Sequence, residues 1–431
     1  MQNSAALLSS PFAGGDRNGG FALDRLLAPE QAVIAYFARL RPQPSGVESV
    51  TLAAAPGRIL AEGATARENH PSHPRSTMDG FALASDEGTA GRRIVGTIRM
   101  GHAPAQRLGA GETMRIPTGG AVPPGANAVV PQEDVALEGD RIVLRKPPRA
   151  GDYITQPAED IAVGECVLQV GRRLGGPELG VLATLGYAAV PVFKRPRIAV
   201  VSTGDELIDP QDTPAPGQIR DSNRYAIGAA LTALGAEPVH LPRVADDRDA
   251  VRARLREALG ACDALVTTGG SSVGAGDLVP EIVREFGDPG AIVHGLRVKP
   301  GKPTLLGAVG RKPVIGLPGH PVSALMILEA VARPLIAALT GERAAGPTML
   351  EAVAGDTFAG RAGWTWFVPV RLRRSGGRLE AFPLELRSAQ TSLLARASGF
   401  ATLGERSAHV ALGERIGVTP FSCGGAPIEN S

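Results

Sequence analysis

The chain has 431 residues, which exceeds one ordinary domain and predicts roughly two to four domains. A hydrophobic content of 43% can fill packed cores, and a net charge of +2 gives no support for a nucleic-acid or anionic-membrane partner. The chain has three cysteines, Cys166, Cys262 and Cys423. They are far apart and odd in number, which excludes a disulfide framework or a cysteine metal site and favours the cytoplasm. No run approaches about 18 apolar residues, and the N-terminus lacks a signal-peptide pattern.

The first part of the chain predicts a flexible leader and a discontinuous domain. Residues 1–26 are predicted to be a leader because they are rich in Gly and small polar residues. Leu27–Leu40 and Pro177–Leu185 are predicted helices, each with a proline near its start. We therefore predict that residues 27–65 and 158–194 form one linking domain, interrupted by an insertion.

The insertion, residues 66–157, is predicted to be a small β domain. Short apolar segments alternate there with turns rich in Gly and Pro: residues 93–98, 112–116, 128–131 and 141–144. Asp79-Gly80 is a turn signal, and its carboxylate could bind Mg²⁺, accept a proton or be an ordinary loop aspartate. His70 and His73 each precede a proline, which favours an extended backbone and disfavours a helical metal pair.

Residues 195–345 predict an α/β domain with a largely parallel sheet. Strands are expected at Ile198–Val201 and Val239–Val244, and Asn223 is expected to cap the helix between them. Ligands of such sheets lie beyond the carboxyl ends of the strands, so Asp205 and Glu206 should share an edge with the next glycine-rich loop.

That loop, Gly269–Gly274, joins an apolar strand to a predicted helix at Asp277–Phe286. Free backbone N–H groups at such a junction favour an anion, although a tight connection without a ligand is equally consistent with two glycines alone. Lys299 and Lys302 lie in a loop stiffened by Pro and Gly and would suit phosphate, although surface lysines are usually only solvated. Val322–Leu339 predicts an apolar helix packed on the sheet. Residues 346–431 predict a C-terminal β domain whose Trp364 and Trp366 belong to its core.

The ordered set of motifs resembles the molybdopterin molybdenumtransferase family, that of MoeA and the gephyrin E domain. The matching segments run in family order: Ser76–Ala82, Arg115–Gly120 with Glu133, Ala158–Ile161, Ser202–Leu207, Ile219–Arg224, Ala264–Asp277, Lys299–Pro303 and Gly316–Ser323. The resemblance implies a multidomain α/β plus β fold: a central three-layer α/β domain, an inserted β domain, a discontinuous mixed domain and a C-terminal β-barrel-like domain.

The resemblance also implies an activity, namely Mg²⁺-assisted insertion of molybdate into adenylylated molybdopterin with release of AMP. It implies an elongated homodimer with the site between domains of the two subunits. Possible protein partners are the adenylyltransferase of the same pathway and the acceptor molybdoenzymes or their chaperones.

The site residues follow by motif match. The catalytic positions implied are Asp79, Asp160, Glu206, Asp246, Asp277 and Lys299. Those expected to hold metal are Asp79, Glu206, Asp246 and Asp277. The substrate- and cofactor-binding positions expected are Thr203, Gly204, Asp205, Gly269, Gly270, Ser271, Ser272, Gly274, Lys302, Pro318, Pro321 and Ser392.

Several positions depart from the family pattern. Arg75 stands where the family has Asn, Gly295 replaces a basic residue that Arg297 could compensate, and His320 replaces Asn. The usual Ala-Asn-Gly reads Ala-Ser-Gly at residues 397–399. The alternatives are therefore a divergent paralogue that binds the pterin as a carrier or scaffold, and a nucleotide-dependent hydrolase that shares only the α/β domain. A dinucleotide dehydrogenase is disfavoured because no Gly-x-Gly-x-x-Gly follows the Ile198 strand.

Overall fold

The computed structural model describes residues 26–270, 278–343, 348–387 and 389–430. The predicted leader therefore lies outside the described residues, apart from Leu26. The helices, in chain order, are α1 Pro29–Arg39, α2 Gly176–Thr184, α3 Asn223–Ala233, α4 Arg248–Ala261, α5 Leu278–Glu285, α6 Pro321–Ile327, α7 Arg333–Thr340 and α8 Thr391–Arg396. A π turn, Leu328–Ala332, joins α6 to α7.

The strands occur in three stretches of the chain. The first comprises β1 Val47–Thr51, β2 Ala64–Thr65, β3 Arg75–Ser76, β4 Gly80–Leu83, β5 Arg92–Thr97, β6 Glu112–Ile116, β7 Ala128–Pro131, β8 Val135–Glu138, β9 Arg141–Leu144, β10 Ile154–Thr155, β11 Cys166–Leu168 and β12 Ala189–Phe193. The second comprises β13 Arg197–Ser202, β14 Leu207–Ile208, β15 Ile219–Arg220, β16 Glu237–His240, β17 Ala264–Thr268, β18 Pro289–His294, β19 Val298–Lys299, β20 Leu305–Val309 and β21 Lys312–Leu317. The third comprises β22 Leu350–Ala354, β23 Phe358–Ala359, β24 Thr365–Ser375, β25 Arg378–Pro383, β26 Gly399–Leu403, β27 His409–Val410, β28 Arg415–Pro420 and β29 Glu429–Asn430.

The second stretch builds an α/β sheet in the order β16-β13-β17-β21-β20-β18. Its first four strands are parallel, and β20 and β18 are antiparallel additions. Helices α4 and α5 pack on one face and helices α3, α6 and α7 on the other, so the arrangement has three layers, as predicted. The strand predicted at Val239–Val244 is shorter, because only Glu237–His240 pairs along the sheet and Val244 makes an isolated bridge with Thr203.

The helical run Pro321–Thr340 is the central apolar element. Among the described residues it is the one helical run long and apolar enough to cross a membrane, with a mean hydropathy of 1.8. However, 72% of that window is buried inside the protein, which is typical of a core helix. Its side chains share one hydrophobic cluster with Phe367, Phe400 and Phe421 from the third stretch. The run therefore packs against both the α/β sheet and the C-terminal strands.

The first stretch forms a separate sheet in the order β7-β4-β6-β5-β9-β8, with a small apolar cluster on each face. Strand β1 pairs with β12, and β2 pairs with β11, so the two segments that flank the insertion meet in space. Helix α1 lies in the segment predicted for the linking domain, and its Ala32 and Tyr36 pack in the core of the α/β layer. The domain boundaries themselves remain a prediction.

The C-terminal strands form a closed barrel. Strands β24, β25, β22, β28 and β26 pair in that order, and β26 pairs back onto β24. Strand β19 adds to this sheet by pairing in parallel with β24, although it lies in the segment predicted for the α/β domain. Trp364 and Trp366 are partly buried, and Trp366 packs against the apolar cluster of the barrel.

We expect Leu335→Ala to lower the free energy of unfolding by about 2–5 kcal/mol, because it leaves a cavity in the shared core. Leu335 is fully buried on α7, whereas the Ile34 control on α1 is 69% exposed. Ile34→Ala should change the free energy of unfolding by less than about 0.5 kcal/mol. Urea denaturation followed by circular dichroism measures both values, and equal losses would contradict this account of the core.

Candidate active site

Three strand ends meet at the carboxyl edge of the α/β sheet. The Thr203 N–H donates to the Thr268 carbonyl at 2.9 Å, which joins the ends of β13 and β17. A Cβ atom placed on Gly319, after β21, would lie 3.7 Å from Gly269 Cα. The segments after β13, β17 and β21 are therefore adjacent, and the predicted common edge of Asp205, Glu206 and the glycine-rich loop is confirmed for Gly269 and Gly270.

Glycine is required at the start of this loop. Gly269 has φ +87°, and a Cβ atom there would lie 2.4 Å from the Thr203 carbonyl oxygen. A side chain would therefore push β13 and β17 apart at the point where the site forms. The remaining predicted loop positions, Ser271, Ser272, Gly274 and Asp277, lie outside the described residues.

Carboxylates converge beside the loop. The Asp246 N–H donates to Asp205 Oδ1 at 3.0 Å, so the segment after β16 is tied to the segment after β13. The pKa of Asp246 is raised, first by burial and then by the negative charges of Asp205 and Glu206. The edge therefore concentrates negative charge next to the first residues of the glycine-rich loop, and a shared cation would relieve the repulsion.

Some of the buried polar atoms without partners lie at the same edge. Within the described part of the chain, Thr203 Oγ1, Asp221 Oδ2 and Asn223 Oδ1 are buried and make no hydrogen bond. Such atoms are rare in folded proteins and are expected to meet water or a ligand.

Two of these residues were missed as site residues by sequence reasoning. Asn223 was expected to cap α3, which is wrong: it is the first residue of the helix, and its side-chain amide donates to the Gly319 carbonyl at 2.7 Å. Asp221 lay within a recognised motif, and its oxygen Oδ1 accepts the Arg224 N–H at 3.1 Å. A polar run between a strand and a helix was the available signal for both.

The lysine loop lies between the α/β layer and the barrel. A Cβ atom on Gly301, which has φ +106°, would lie 2.3 Å from Ile327 on α6, so the loop runs tightly over that helix. Lys302 is half-buried, while Lys299 is exposed and its Nζ lies 4.3 Å from the Trp366 ring centroid. Arg297, suggested as a substitute for the basic residue missing at Gly295, is instead paired with Glu405 at 2.6 Å.

The remaining predicted positions flank this region. Pro318 is buried after β21, and Pro321 is the first residue of α6. Ser392 is exposed on α8, and that helix packs against α6. Pro318 and Pro321 therefore lie at the α/β edge itself, whereas Ser392 lies on a helix of the C-terminal stretch.

Two predicted acidic residues lie elsewhere. Asp79 Oδ1 accepts hydrogen bonds from the Thr118 N–H at 2.6 Å and from the Thr118 hydroxyl at 2.9 Å, which lower its pKa. Asp160 lies 3.8 Å from His70 Nε2 and is largely exposed. Neither has a described contact with the carboxylates of the α/β edge. Across residues 26–270, 278–343, 348–387 and 389–430, no group of three or more His, Cys, Asp or Glu side chains is placed to hold a metal.

Known protein families match most of the chain. Residues 27–186 match the MoeA N-terminal region (domain I and II), residues 199–338 a probable molybdopterin binding domain, and residues 351–421 the MoeA C-terminal region (domain IV). The molybdopterin molybdenumtransferase of Synechocystis sp. is 30% identical over 83% of this chain and 91% of its own length. That of Bacillus subtilis is 32% identical over 80% and 83%. A crystal structure of a molybdopterin biosynthesis MoeA protein from Pyrococcus horikoshii has a TM-score of 0.75 at 30% identity, covering 92% of this chain and 99% of that one.

Asp205→Asn is expected to lower the pKa of Asp246 towards its ordinary value, because it removes a repulsive charge and keeps an oxygen that accepts the Asp246 N–H. The raised pKa means that the native state binds this proton more tightly than the unfolded chain, so the ionised Asp246 weakens the fold above its folded pKa. Near neutral pH, Asp205→Asn should therefore reduce the destabilisation that the ionised Asp246 causes. Carbon-13 NMR titration measures the pKa; the exposed control Asp212→Asn should leave it unchanged, and an unmoved pKa in Asp205→Asn would contradict the assignment.

Thr118→Val should raise the pKa of Asp79 but leave it below its ordinary value, because the backbone N–H of residue 118 still donates to the carboxylate. A depressed carboxyl pKa stabilises the fold above the unfolded pKa, and that contribution disappears as the pH falls through the folded pKa. When the free energy of unfolding is plotted against pH, its loss at acid pH should therefore occur at a higher pH in Thr118→Val. The control Thr155→Val should not change it. The same titration method tests this, and a lower pKa would rule out the hydroxyl donor.

Proposed function

The chain belongs to the molybdopterin molybdenumtransferase family and is a transferase of molybdenum cofactor biosynthesis, and from this premise we propose that it inserts molybdate into adenylylated molybdopterin with release of AMP. One observation carries the proposal: Thr203–Glu206, Asp246, Gly269–Gly270 and Gly319 converge at one edge of the α/β sheet. Within that edge, buried polar atoms without partners are available to a polar ligand.

The anionic end of the substrate would bind at the glycine-rich loop. Adenylylated molybdopterin carries a pyrophosphate bridge, and backbone amides at a strand-to-helix junction attract phosphate oxygens. Lys299 and Lys302 would supply positive charge from the neighbouring loop. Asp221 and Asn223 would contribute buried hydrogen-bonding atoms to the same edge.

The residues of the edge fit Mg²⁺. Mg²⁺ commonly uses one or two protein carboxylates together with substrate phosphates and water, so a cage of three protein ligands is not required. Glu206 and Asp246 would hold it here, and the raised pKa of Asp246 indicates the kind of charge repulsion that a cation relieves. When bound, Mg²⁺ would stabilise the charge of the phosphate leaving group.

Asp246 is the carboxyl group of this edge whose ionised form would gain most from a neighbouring cation. Its pKa is raised by burial and by two neighbouring acidic side chains. Asp205, which accepts the Asp246 N–H, would keep this carboxyl in place.

A homodimer would allow Asp79, which belongs to another part of the chain, to act at this edge. Asp79 belongs to the inserted sheet, and its described hydrogen bonds are to Thr118 of that sheet. We place Asp79 and Asp160 of one subunit opposite the α/β edge of the other, in a cytoplasmic enzyme. Asp277, outside the described residues, would complete the acidic set.

A pterin-binding carrier or scaffold is the second candidate function. The observation that favours it is His320, which is exposed between Gly319 and the start of α6 where the family commonly has Asn. A carrier would bind molybdopterin tightly without releasing AMP from the adenylylated form. A single-turnover assay for AMP with molybdate and tungstate compared distinguishes the two functions.

Asp79→Ala and Asp246→Ala are each expected to lower turnover by at least about 100-fold, because each removes a carboxylate from metal or proton chemistry. Random mixing of the two variant subunits should restore about a quarter of the wild-type sites, since half of the dimers then hold one intact site. AMP release measures both effects, with Asp212→Ala as the control expected to retain activity.

Two results would contradict the proposal in different ways. Full activity of Asp246→Ala would overturn the role of the α/β edge. Inactive mixtures, formed from subunits that dimerise normally, would overturn the shared site and leave the edge in place.

A further inference from the structure

We propose that Trp366 is a positioning residue that fixes the ammonium group of Lys299 for an oxyanion of the substrate. The inference rests on the proposed function, because Lys299 matters only if its charge meets molybdate or phosphate. It adds a residue of the barrel, which no motif pointed to, to a site otherwise built from the α/β edge and its loops.

The two residues face each other in the sheet. Strand β19 pairs with β24 in parallel, and Lys299 is the register partner of Trp366. The Lys299 Nζ lies 4.3 Å from the centroid of the Trp366 ring, well within the range of a cation–π contact. Among aromatic side chains, Trp attracts a cation most strongly, so the contact selects one position of a long, flexible side chain.

The backbone on both sides of Lys299 is already fixed. The Thr365 N–H donates to the Arg297 carbonyl at 3.1 Å, and the Arg297 side chain pairs with Glu405 on the barrel. On the other side, Gly301 lies against Ile327 of α6. The remaining freedom in the position of the ammonium group therefore comes from the Lys299 side chain, which is exposed and has several rotatable bonds.

The indole is a rigid support for that side chain. Trp366 is half-buried against the barrel cluster, and it pairs with Leu403 across the sheet. A Cβ atom on Gly360 would lie 3.2 Å from Trp366 Cγ, so the absence of a side chain there makes room for the ring. Because the ring cannot move far, an ammonium resting on it is held in one place.

The charge of Lys299 also remains available. Within the described residues Lys299 makes no ion pair with a carboxylate, and its described interaction is with a neutral ring. A ring orders the ammonium without neutralising it, whereas a carboxylate partner would compete with an incoming anion. This arrangement fits a tetrahedral oxyanion or a phosphate group.

The kinetic test compares Trp366→Leu and Trp366→Phe with Lys299→Met. We expect Trp366→Leu to raise KM for molybdate roughly 3- to 10-fold with a much smaller change in kcat, and Trp366→Phe to lie between it and the wild type, because Phe holds a cation less tightly. Trp364→Phe is the matched control, since that ring lies against Arg361 rather than a lysine and should leave KM unchanged. A purely structural role would instead lower the thermal midpoint and the active fraction while KM stayed constant.

Tryptophan fluorescence tests the contact without turnover, because the chain contains only two tryptophans. In Trp364→Phe the remaining emission comes from Trp366, and it should change when Lys299→Met is added and when molybdate or pyrophosphate is titrated. In Trp366→Phe the emission of Trp364 should not respond to either.

The outcomes separate the two proposals. An inactive Lys299→Met protein together with a wild-type KM in Trp366→Leu would overturn the role of Trp366 and leave the proposed function standing. A fully active Lys299→Met protein would overturn the role of Lys299 in the proposed function, and with it the need for positioning. If Lys299→Met leaves the emission of Trp366 unchanged, the contact itself would be overturned.

Discussion

The burial of one apolar helical run, Pro321–Thr340, is the constraint on which the rest of the structure depends. Its side chains fill the core beneath the α/β sheet and contact aromatic side chains of the barrel. Burial of this much apolar surface is the dominant favourable term in folding, and here it fixes two parts of the chain relative to each other. Without that shared core, the lysine loop and α8 would have no fixed relation to the strand ends.

The buried carboxylate of Glu329 makes this packing specific. Glu329 lies in the π turn of the run, where it accepts hydrogen bonds from the Ser422 N–H at 3.0 Å and from the Ser422 hydroxyl. Its pKa is raised by burial and partly restored by those bonds and by Arg333. A carboxyl with its partners in the barrel specifies one docking of barrel on helix, whereas apolar contacts alone tolerate several.

In the candidate site, the backbone and the side chains have different roles. In the proposed function the glycine-rich loop would offer donors to an anion, while Asp205, Glu206 and Asp246 place negative charge beside its first residues. Such crowding is unfavourable unless a cation or a proton joins the carboxylates. In the proposal, the barrel would contribute through Trp366, which contacts Lys299, and through the segment around Ser392.

The amino-acid sequence by itself determined the local elements and the family. Hydrophobic periodicity identified the helices near Leu27–Leu40 and Val322–Leu339, and the strands at residues 112–116, 128–131 and 141–144 have the predicted bounds. The α/β alternation placed Asp205 and Glu206 at the same edge as Gly269, because parallel strands end together. Only the tertiary structure decided that α1 packs with the α/β core, that Asn223 bonds Gly319 rather than capping α3, and that Lys299 rests on Trp366. Those contacts join residues far apart in the chain, and local propensity carries no information about which distant surface a side chain will meet.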